Sequence, residues 1–471
     1  MSERVPGYSQ SRIRWWPVLL GMFFVLCVSA PFILRLLMVA SVPIVAEPFD
    51  VKAAGRVDVP EGQNAFELYA LAATRTATFP PLVNEAYTRL QEEKAPSSIP
   101  GELLTFLDSQ RAVLELFRQG SERPEAVYHQ PESYTLSTLL DVTQQLRQMA
   151  RLAELEALRL ELQGDVAGAW EWHRATLRAS RHSGMHGALI ERLVGIAIYS
   201  LASDGIVRWS ARPEVDSSQL RTALDELREV NRKTVPISGP LHVEYLMMQK
   251  MLTSPTLRSQ VIGMSSEGTD RYALEAQCLL LEPDTSQRTL RLAFTNWLSQ
   301  CDLPHHERAP TATGPLELFD VPVGGDSGGA GVSAEEVQRL LYSAPLGRLL
   351  LPAASQALHA HDREITRQKL LEAALALQVW YREHGEFPES LDPLVGTLLD
   401  SVPIDPCGKG EAIRYRREPD AEHGATIWSV GDDGVDNDGR ADVKDALQRA
   451  KDIITSVKPP LKRAGAAPAL R

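Results

Sequence analysis

QQLRQMARLAELEALRLELQGDVAGAWEWHRATLRASRH, residues 144–182, is the strongest indication of the fold in this chain. Small and apolar side chains recur at three- and four-residue spacing on either side of a Gly-Asp corner, at Ala153, Ala157, Leu160, Ala167 and Trp170. Residues at this spacing lie on one face of an α-helix. The segment therefore predicts two antiparallel helices that pack against each other through these faces.

Similar patterns extend over most of the chain. Between Asn64 and about Tyr342, amphipathic stretches are broken by Pro or Gly, and no sustained strand-like alternation occurs. We predict a mainly α protein, with a helical domain over residues 63–302.

The hairpin also resembles a single tetratricopeptide unit. Gly164 lies at the small corner position, and Ala169 lies at the packing position. The match is partial, because His173 stands where an aromatic residue is usual and Arg181 replaces the closing proline. No second copy follows at the period of about 34 residues. We expect an irregular or TPR-like domain, in which either a groove for a protein partner or plain core packing explains the pattern.

An apolar segment near the N-terminus predicts a membrane span. Residues 17–34 read PVLLGMFFVLCVSAPFIL without a charge, and after Arg35 the apolar character continues to Ala46. A helix of about 20 apolar residues crosses a bilayer, and an arginine near its end can extend toward the interface. We predict a transmembrane anchor over residues 15–46.

The residues before the span indicate its orientation. Arg4, Arg12 and Arg14 lie in the segment 1–14, with no acidic residue after Glu3. Positive charges before a span favour a cytoplasmic N-terminus, so 1–14 is predicted to be a cytoplasmic tail.

A cleavable signal peptide is the main alternative to an uncleaved anchor. Val28-Ser29-Ala30 has the small residues of a cleavage site, but Pro31 follows it and the apolar stretch is long for a signal peptide. We expect an uncleaved signal anchor.

Changes in composition divide the rest of the chain. Residues 47–62 form a linker after the span, and residues 303–333 form a Gly/Pro-rich linker that contains GGDSGGAGVS. A second domain is predicted over 334–447, where EITRQKLLEAALALQVWYREHG indicates a long helix that ends at Gly385. We predict that the basic tail, 448–471, is disordered.

Charge and cysteine content restrict the function. The net charge is −12, which argues against nucleic acid as a partner because there is no basic excess to displace counterions. There are four cysteines, and no C-x-x-C motif occurs. Cys278 and Cys301 can form a disulfide outside the cytoplasm, although their spacing does not require it.

WSVGDDGVDNDG, residues 428–439, is the most acidic turn of the chain. Together with Asp442 and Asp445 it contains six aspartates and three glycines. Ca²⁺ takes about 6 to 8 oxygen ligands, commonly from such loops, whereas Asp, Asn and Gly also form ordinary solvated turns. Both interpretations remain open. An EF-hand register is disfavoured, because it places Gly434 at the first position, where a carboxylate is needed.

The C-terminal segment resembles the headpiece of type II secretion major pseudopilins. Four blocks carry the likeness: AALALQVWYREHGEFPESL (373–391), PIDPCG (403–408), IRY (413–415) and IWSVGDDG (427–434). In order and spacing they match a helix ending near Y…G.YP..L..L, a DPWG.PY.Y turn and strand, and a closing YS.G.DG loop. The chain departs from that family because no span directly precedes this helix, and because Cys407 replaces an aromatic residue.

The resemblance implies a small α+β headpiece with a structural Ca²⁺ site in its final loop. Carried over by motif, the ligands are Asp433, Asp436, Asp438 and Asp442. The whole chain looks like bacterial envelope proteins with one span and such a headpiece. We therefore expect it in the bacterial inner membrane as a single-pass protein, with its bulk extracytoplasmic.

The motifs for catalysis are weak, and we name no catalytic residue. Gly325-Asp326-Ser327-Gly328-Gly329 fits G-x-S-x-G and resembles the nucleophile segment of chymotrypsin-like proteases, but it lies in a linker without the required strand-to-helix turn. His305-His306-Glu307 lacks the spacing of a zinc hydrolase. We expect a binding or scaffold protein, linked to secretion or surface assembly. The alternatives are an extracytoplasmic hydrolase acting on envelope polymer or peptide, and a pilus-like assembly subunit.

Overall fold

The described part of the protein is mainly helical, as predicted, with one small sheet near the C-terminus. The structure, a computed structural model, describes residues 15–93, 96–135, 141–265, 272, 274–275, 277–278, 281–314, 316–324, 331–344, 346–347, 351, 354–418, 424–439 and 452–460. The helices are α1 (Trp16–Ala40), α2 (Val51–Ala54), α3 (Ala65–Ala73), α4 (Pro81–Glu92), α5 (Gly101–Ser109), α6 (Arg111–Ser121), α7 (Asp141–Gln163), α8 (Val166–His182), α9 (Leu189–Ser210), α10 (Ser217–Arg232), α11 (Ser238–Thr253), α12 (Pro255–Ser265), α13 (Asp284–Leu298), α14 (Ala334–Ser343) and α15 (Ala354–His384). The strands are β1 (Arg414–Arg417), β2 (Ala425–Ser429) and β3 (Ile453–Val457).

The chain forms two compact units, which are described separately. The first lies within Met1–Ala46, Met251–Ala293 and Pro322–Leu351. The second lies within Glu47–Lys250, Phe294–Val321 and Pro352–Arg471.

Helix α1, in the first unit, is long and apolar enough to cross a membrane over Leu19–Ala40, and it is the only described helix that meets this test. A signal sequence meets the same criteria of length and composition. Arg35 forms an ion pair with Asp284 at the start of α13. Arg288, one turn further along α13, donates a hydrogen bond of 2.8 Å to the carbonyl oxygen of Val39. The C-terminal end of α1 is therefore tied to α13 by polar contacts.

In the second unit, α7 and α8 form the helical hairpin that the sequence predicts. Gly164 adopts φ +82° at the corner, and the Asp165 carboxylate caps α8 by accepting a hydrogen bond from the Gly168 N–H at 2.9 Å. Gly is the residue that tolerates this left-handed conformation, and Asp is a preferred N-cap. The corner is thus built from local sequence alone.

His173, which stands at an aromatic position of the tetratricopeptide pattern, has a polar role in this hairpin. Its ring is fully buried, with Nδ1 2.9 Å from Glu154 Oε2 and Nε2 3.2 Å from Glu161 Oε1. Burial opposes its charge, but the two carboxylates outweigh burial and raise the pKa of His173 to about 9. A charged imidazole therefore joins α7 to α8 at this position.

Helix α15 has a deeply buried section in the second unit. Nine of the ten residues from Leu370 to Val379 are buried, including Leu375 and Leu377. A helix that is apolar on every side is surrounded by protein rather than lying on a surface. It ends where predicted, because Gly385 takes φ +81° and donates its N–H to the Tyr381 carbonyl at 2.8 Å.

The sheet has the order β1-β2-β3 with both pairs antiparallel. Strand β2 is buried at every position, and β3 forms an edge. The prediction of a disordered tail over 448–471 was wrong for the residues of β3, which pair with β2 from Ile453 opposite Ser429 to Val457 opposite Ala425. Hydrogen bonding to a buried strand orders a segment that has little signal of its own.

One hydrophobic core joins the predicted helical domain to the predicted headpiece, so the division at 303–333 does not match the structure. Buried side chains from α8, α9 and α10 pack in the same cluster as α15 and the strands; among them are Trp170, Ile206, Leu227, Leu375, Ile427 and Val457. The physical reason is that α15 has buried, mostly apolar residues all round between Leu370 and Val379. Its two sides are covered by different layers, the helices and the sheet.

A buried ion-pair network fixes α15 against this helical layer. Glu364 of α15 is 1% exposed and forms ion pairs with Arg181 of α8 and Arg192 of α9. Burial opposes ionisation, but the two guanidinium groups outweigh it and lower the pKa of Glu364. The Arg181 guanidinium also lies 4.5 Å from the ring centroid of Tyr199. A single carboxylate therefore pairs with guanidinium groups from two neighbouring helices.

Replacing Glu364 by Gln is expected to destabilise the folded protein by about 3–5 kcal/mol, because it leaves two buried guanidinium groups without a counter-charge. The free energy of unfolding of the full-length protein in detergent, followed by tryptophan fluorescence in denaturant, measures this change.

Glu383→Gln is the matched control for that substitution. Glu383 lies on the same helix and pairs with Arg221, and the side chains are 33% and 44% exposed. An exposed pair contributes up to about 1 kcal/mol. Equal small effects at both positions would show that the buried network does not hold α15.

Candidate functional site

A large cleft of the second unit runs along β3, on the side that has no partner strand in the described sheet. Five consecutive residues of this segment line it: Asp452, Ile453, Ile454, Thr455 and Ser456. Because successive side chains of a strand point to opposite faces of the sheet, a wall made of consecutive residues is the strand's edge and not a face. The cleft therefore exposes the side of β3 that is not paired with β2.

The opposite wall is one face of α15, supplemented by α9. Residues of α15 line the cleft at three- and four-residue spacing: Gln356, His359, Arg363, Arg367 and Leu371. This spacing places them on a single helix face. Exposure decreases along the face, since Gln356 and His359 are exposed whereas Leu371 is buried. From α9 come Ser203, Asp204 and Val207.

The cleft has a volume of about 1250 Å³ and carries an excess of negative charge. Its lining includes two arginines, Arg363 and Arg367, and four aspartates: Asp204, Asp432, Asp433 and Asp452. Arg363 forms an ion pair with Asp432. Counting formal charges of four carboxylates and two guanidinium groups leaves two negative charges in excess.

Two of these carboxylates have altered acidity. Desolvation by the cleft walls is the main cause that raises the pKa of Asp204, and the charge of Arg367 partly opposes it. Burial likewise raises the pKa of Asp452, against the hydrogen bonds that this carboxylate accepts. Both groups are therefore ionised less readily than an ordinary aspartate.

Asp452, which was not among the predicted site residues, organises the acidic loop. Its carboxylate accepts hydrogen bonds from the backbone N–H groups of Asn437, at 3.1 Å, and Gly439, at 2.8 Å. A buried carboxylate that accepts two loop N–H groups fixes the loop backbone. The only sequence signal was its position in front of the β-branched run of β3.

Two of the predicted calcium ligands, Asp433 and Asp436, accept hydrogen bonds from protein groups. Asp436 accepts hydrogen bonds from Trp428 Nε1 at 2.9 Å and from Arg414 Nε at 3.3 Å, and the bond from Trp428 is the main cause that lowers its pKa. Asp433 accepts the N–H of Val435 at 3.2 Å. Asp438 adopts φ +60°, which Asp tolerates in turns.

These contacts do not form a ligand set within the described part of the chain. Among the described residues, no group of three or more His, Cys, Asp or Glu side chains is arranged to hold a metal ion. The fourth predicted ligand, Asp442, lies outside the described residues, as does Asp445. The arrangement of Asp433, Asp436 and Asp438 is that of a hydrogen-bonded turn, and calcium binding stays a prediction.

The remaining sequence motifs and the cysteines lie at different places in the fold. His305-His306-Glu307 forms a short 3₁₀ turn. The G-x-S-x-G segment, 325–329, lies outside the described residues. His359 lines the cleft, whereas His361 is buried with its Nδ1 3.3 Å from Arg192 Nη2. All four cysteines are free thiols, including Cys278 and Cys301.

Comparisons with protein-family models, with curated proteins and with solved structures found no significant match to this chain.

If Ca²⁺ binds the acidic loop, chelation is expected to lower the melting temperature of the full-length protein. An ion that binds only the folded form stabilises it by about 2.7 kcal/mol at a free concentration of 100 times Kd. The shift should be a few degrees, because each 1 kcal/mol moves the midpoint by about 2–4 °C for 150–250 residues and by less in larger units. Differential scanning calorimetry with and without EDTA measures it.

Asp433→Asn and Asp438→Asn together should reproduce the effect of EDTA, since an amide keeps the shape but removes the charge that holds a hard cation. Asp400→Asn, at an exposed carboxylate away from the loop, is the control. Melting that responds neither to EDTA nor to the double substitution would leave a solvated turn.

Proposed function

We propose that this chain is a single-pass, membrane-anchored protein of the bacterial cell envelope that binds a polymeric ligand in the cleft between β3 and α15. The size of the cleft carries this proposal. At about 1250 Å³ it exceeds the range of about 300–1,000 Å³ that is typical of small-molecule sites. A segment of a polymer is the kind of ligand that uses such a volume.

The anchor and its orientation rest on the N-terminal segment. Helix α1 is apolar along Leu19–Ala40, and its side chains are largely exposed in the folded chain, for example Phe23 at 67% and Phe24 at 69%. Lipid is the environment in which such a surface is stable. The arginines at positions 4, 12 and 14 favour a cytoplasmic N-terminus, so the bulk of the chain and its cleft lie outside the cytoplasm.

The resemblance to major pseudopilins supports a link to secretion or surface assembly. The element order of a long helix, α15, followed by β1 and β2 is compatible with that resemblance. The core that α15 shares with α8–α10 favours a fixed scaffold over a filament subunit, because a large part of the helix surface is already covered. The structural Ca²⁺ site remains part of this proposal.

An extracytoplasmic hydrolase is the second candidate, and Asp204 is the observation that favours it. Its carboxylate is exposed in the cleft while the surrounding walls raise its pKa. A carboxylic acid with a raised pKa is what general acid catalysis requires. Asp452 is less suited to that role, because its oxygens are engaged by the loop N–H groups.

Site-specific photo-crosslinking in living cells tests the proposed function. With p-benzoyl-phenylalanine in place of the cleft residue Ser456, irradiation is expected to join this chain to a discrete exported polymer. The same group at Leu82, which is 75% exposed on α4 and outside the cleft, is the control. The product should form from position 456 alone, because only there does the probe lie against the bound ligand.

Products that are identical from both positions, or that contain a cytoplasmic protein, would contradict the proposal. The Asp204→Asn substitution separates the two candidate functions in the same experiment. A binding site gives an unchanged or weaker product, whereas a hydrolase gives a stronger one because its substrate is no longer turned over.

A further inference from the structure

We propose that the ligand of the cleft is an extended polypeptide segment containing lysine or arginine, which binds as an added strand on the free edge of β3. This inference rests on the proposed function and specifies its ligand. It follows from the edge of the sheet, the dimensions of the cleft and its charge.

The edge of β3 provides main-chain N–H and C=O groups that can form hydrogen bonds with an added strand. In the described sheet, β3 pairs with β2 on one side and borders the cleft on the other. An edge strand presents a row of N–H and C=O groups that can pair with another chain. Main-chain hydrogen bonds of this kind give affinity in β-strand addition, and pockets for alternate side chains give selectivity.

The cleft has the length and shape that an added strand requires. The five residues of β3 extend over about 17 Å at roughly 3.3 Å per residue. The face of α15 from Gln356 to Leu371 extends over about 22 Å at 1.5 Å per residue. A groove between a strand edge and a helix thus accommodates an extended segment of about five residues.

The charge of the cleft selects a basic segment. Asp204 and Asp433 are exposed carboxylates in the lining, and no other described residue donates a hydrogen bond to Asp204. The excess of two negative charges attracts lysine and arginine and repels acidic peptides. Ionisation of Asp204 against a bound cation also offsets the desolvation of its carboxylate.

Three pools of degenerate heptapeptides test the proposal on the full-length protein in detergent. All peptides have an acetylated N-terminus and an amidated C-terminus, and all are rich in Val, Thr and Ile. The pools differ at two positions of the heptapeptide. These two positions are Lys or Arg in the basic pool, Asp or Glu in the acidic pool, and Ser or Gln in the neutral pool. The readouts are hydrogen exchange by mass spectrometry and maleimide labelling of Ser456→Cys in a Cys27→Ser background. The basic pool is expected to slow exchange in residues 452–460 and to protect position 456.

Strand β1, the other edge of the same sheet, is the internal control. Addition of a strand at β3 should leave exchange in residues 414–417 unchanged. A basic pool that is N-methylated at every central residue keeps its charges but has no central N–H group to donate along either of its edges. Its affinity should fall by at least about tenfold, because each lost hydrogen bond contributes about 1 kcal/mol.

Substitutions in the cleft test whether its negative charge favours the binding of basic peptides. Asp204→Asn together with Asp433→Asn should weaken binding of the basic pool by roughly fivefold, whereas Asp400→Asn should not change it. These assays are run in EDTA, so that Asp433 carries its charge free of Ca²⁺, and unaltered melting of the variants without peptide then shows that the fold is intact.

The possible outcomes distinguish a failure of the proposed ligand from a failure of the proposed binding function. Protection of position 456 by the acidic or neutral pool alone would overturn the choice of a basic segment while the binding function stands. Equal binding of the N-methylated pool would overturn strand addition. If no pool protects position 456, the inference falls, and a crosslink from that position to a non-peptide polymer would still support the proposed function.

Discussion

Glu364 lies between Arg181 and Arg192 in the interior of the protein, and the position of α15 depends on this contact. A buried charge is stable only when it is paired, so the three side chains can be buried together but not singly. The pairing fixes the helix in rotation and along its axis against α8 and α9. Because α15 is buried on nearly every side between Leu370 and Val379, its other surface there is covered by the sheet, and the two layers share one core.

This placement of α15 generates the cleft. From Gln356 to Leu371 one helix face is left facing the edge of β3, and it is there that the helix changes from exposed to buried. Asp452 contributes from the sheet side, since it holds the acidic loop through Asn437 and Gly439 and lines the cleft itself. The acidic turn is thus part of the wall of a larger site, whether or not it also binds a cation.

Local sequence patterns predicted the local parts of the structure. The α7–α8 hairpin, its Gly164 corner and the end of α15 at Gly385 each follow from a few neighbouring residues, and these predictions are confirmed. The strand β3 was missed because five residues in a charged segment are ordered only by pairing with β2. The shared core and the cleft could not be predicted for a similar reason: Asp204, Arg363 and Thr455 are distant in sequence, and no periodicity indicates that they meet.

Native-state hydrogen exchange of the full-length protein, read by mass spectrometry as a function of denaturant, tests most directly whether α15 joins the helices and the sheet into one unit. Cooperative units open together and share one free energy of opening. The shared core predicts that the amides of α8, α9, α15 and β2 have the same opening free energy, and that Glu364→Gln lowers it equally in all four. Loss of protection in α8 and α9 while α15 and β2 stay protected would contradict this account, because it would show that the C-terminal headpiece folds on its own.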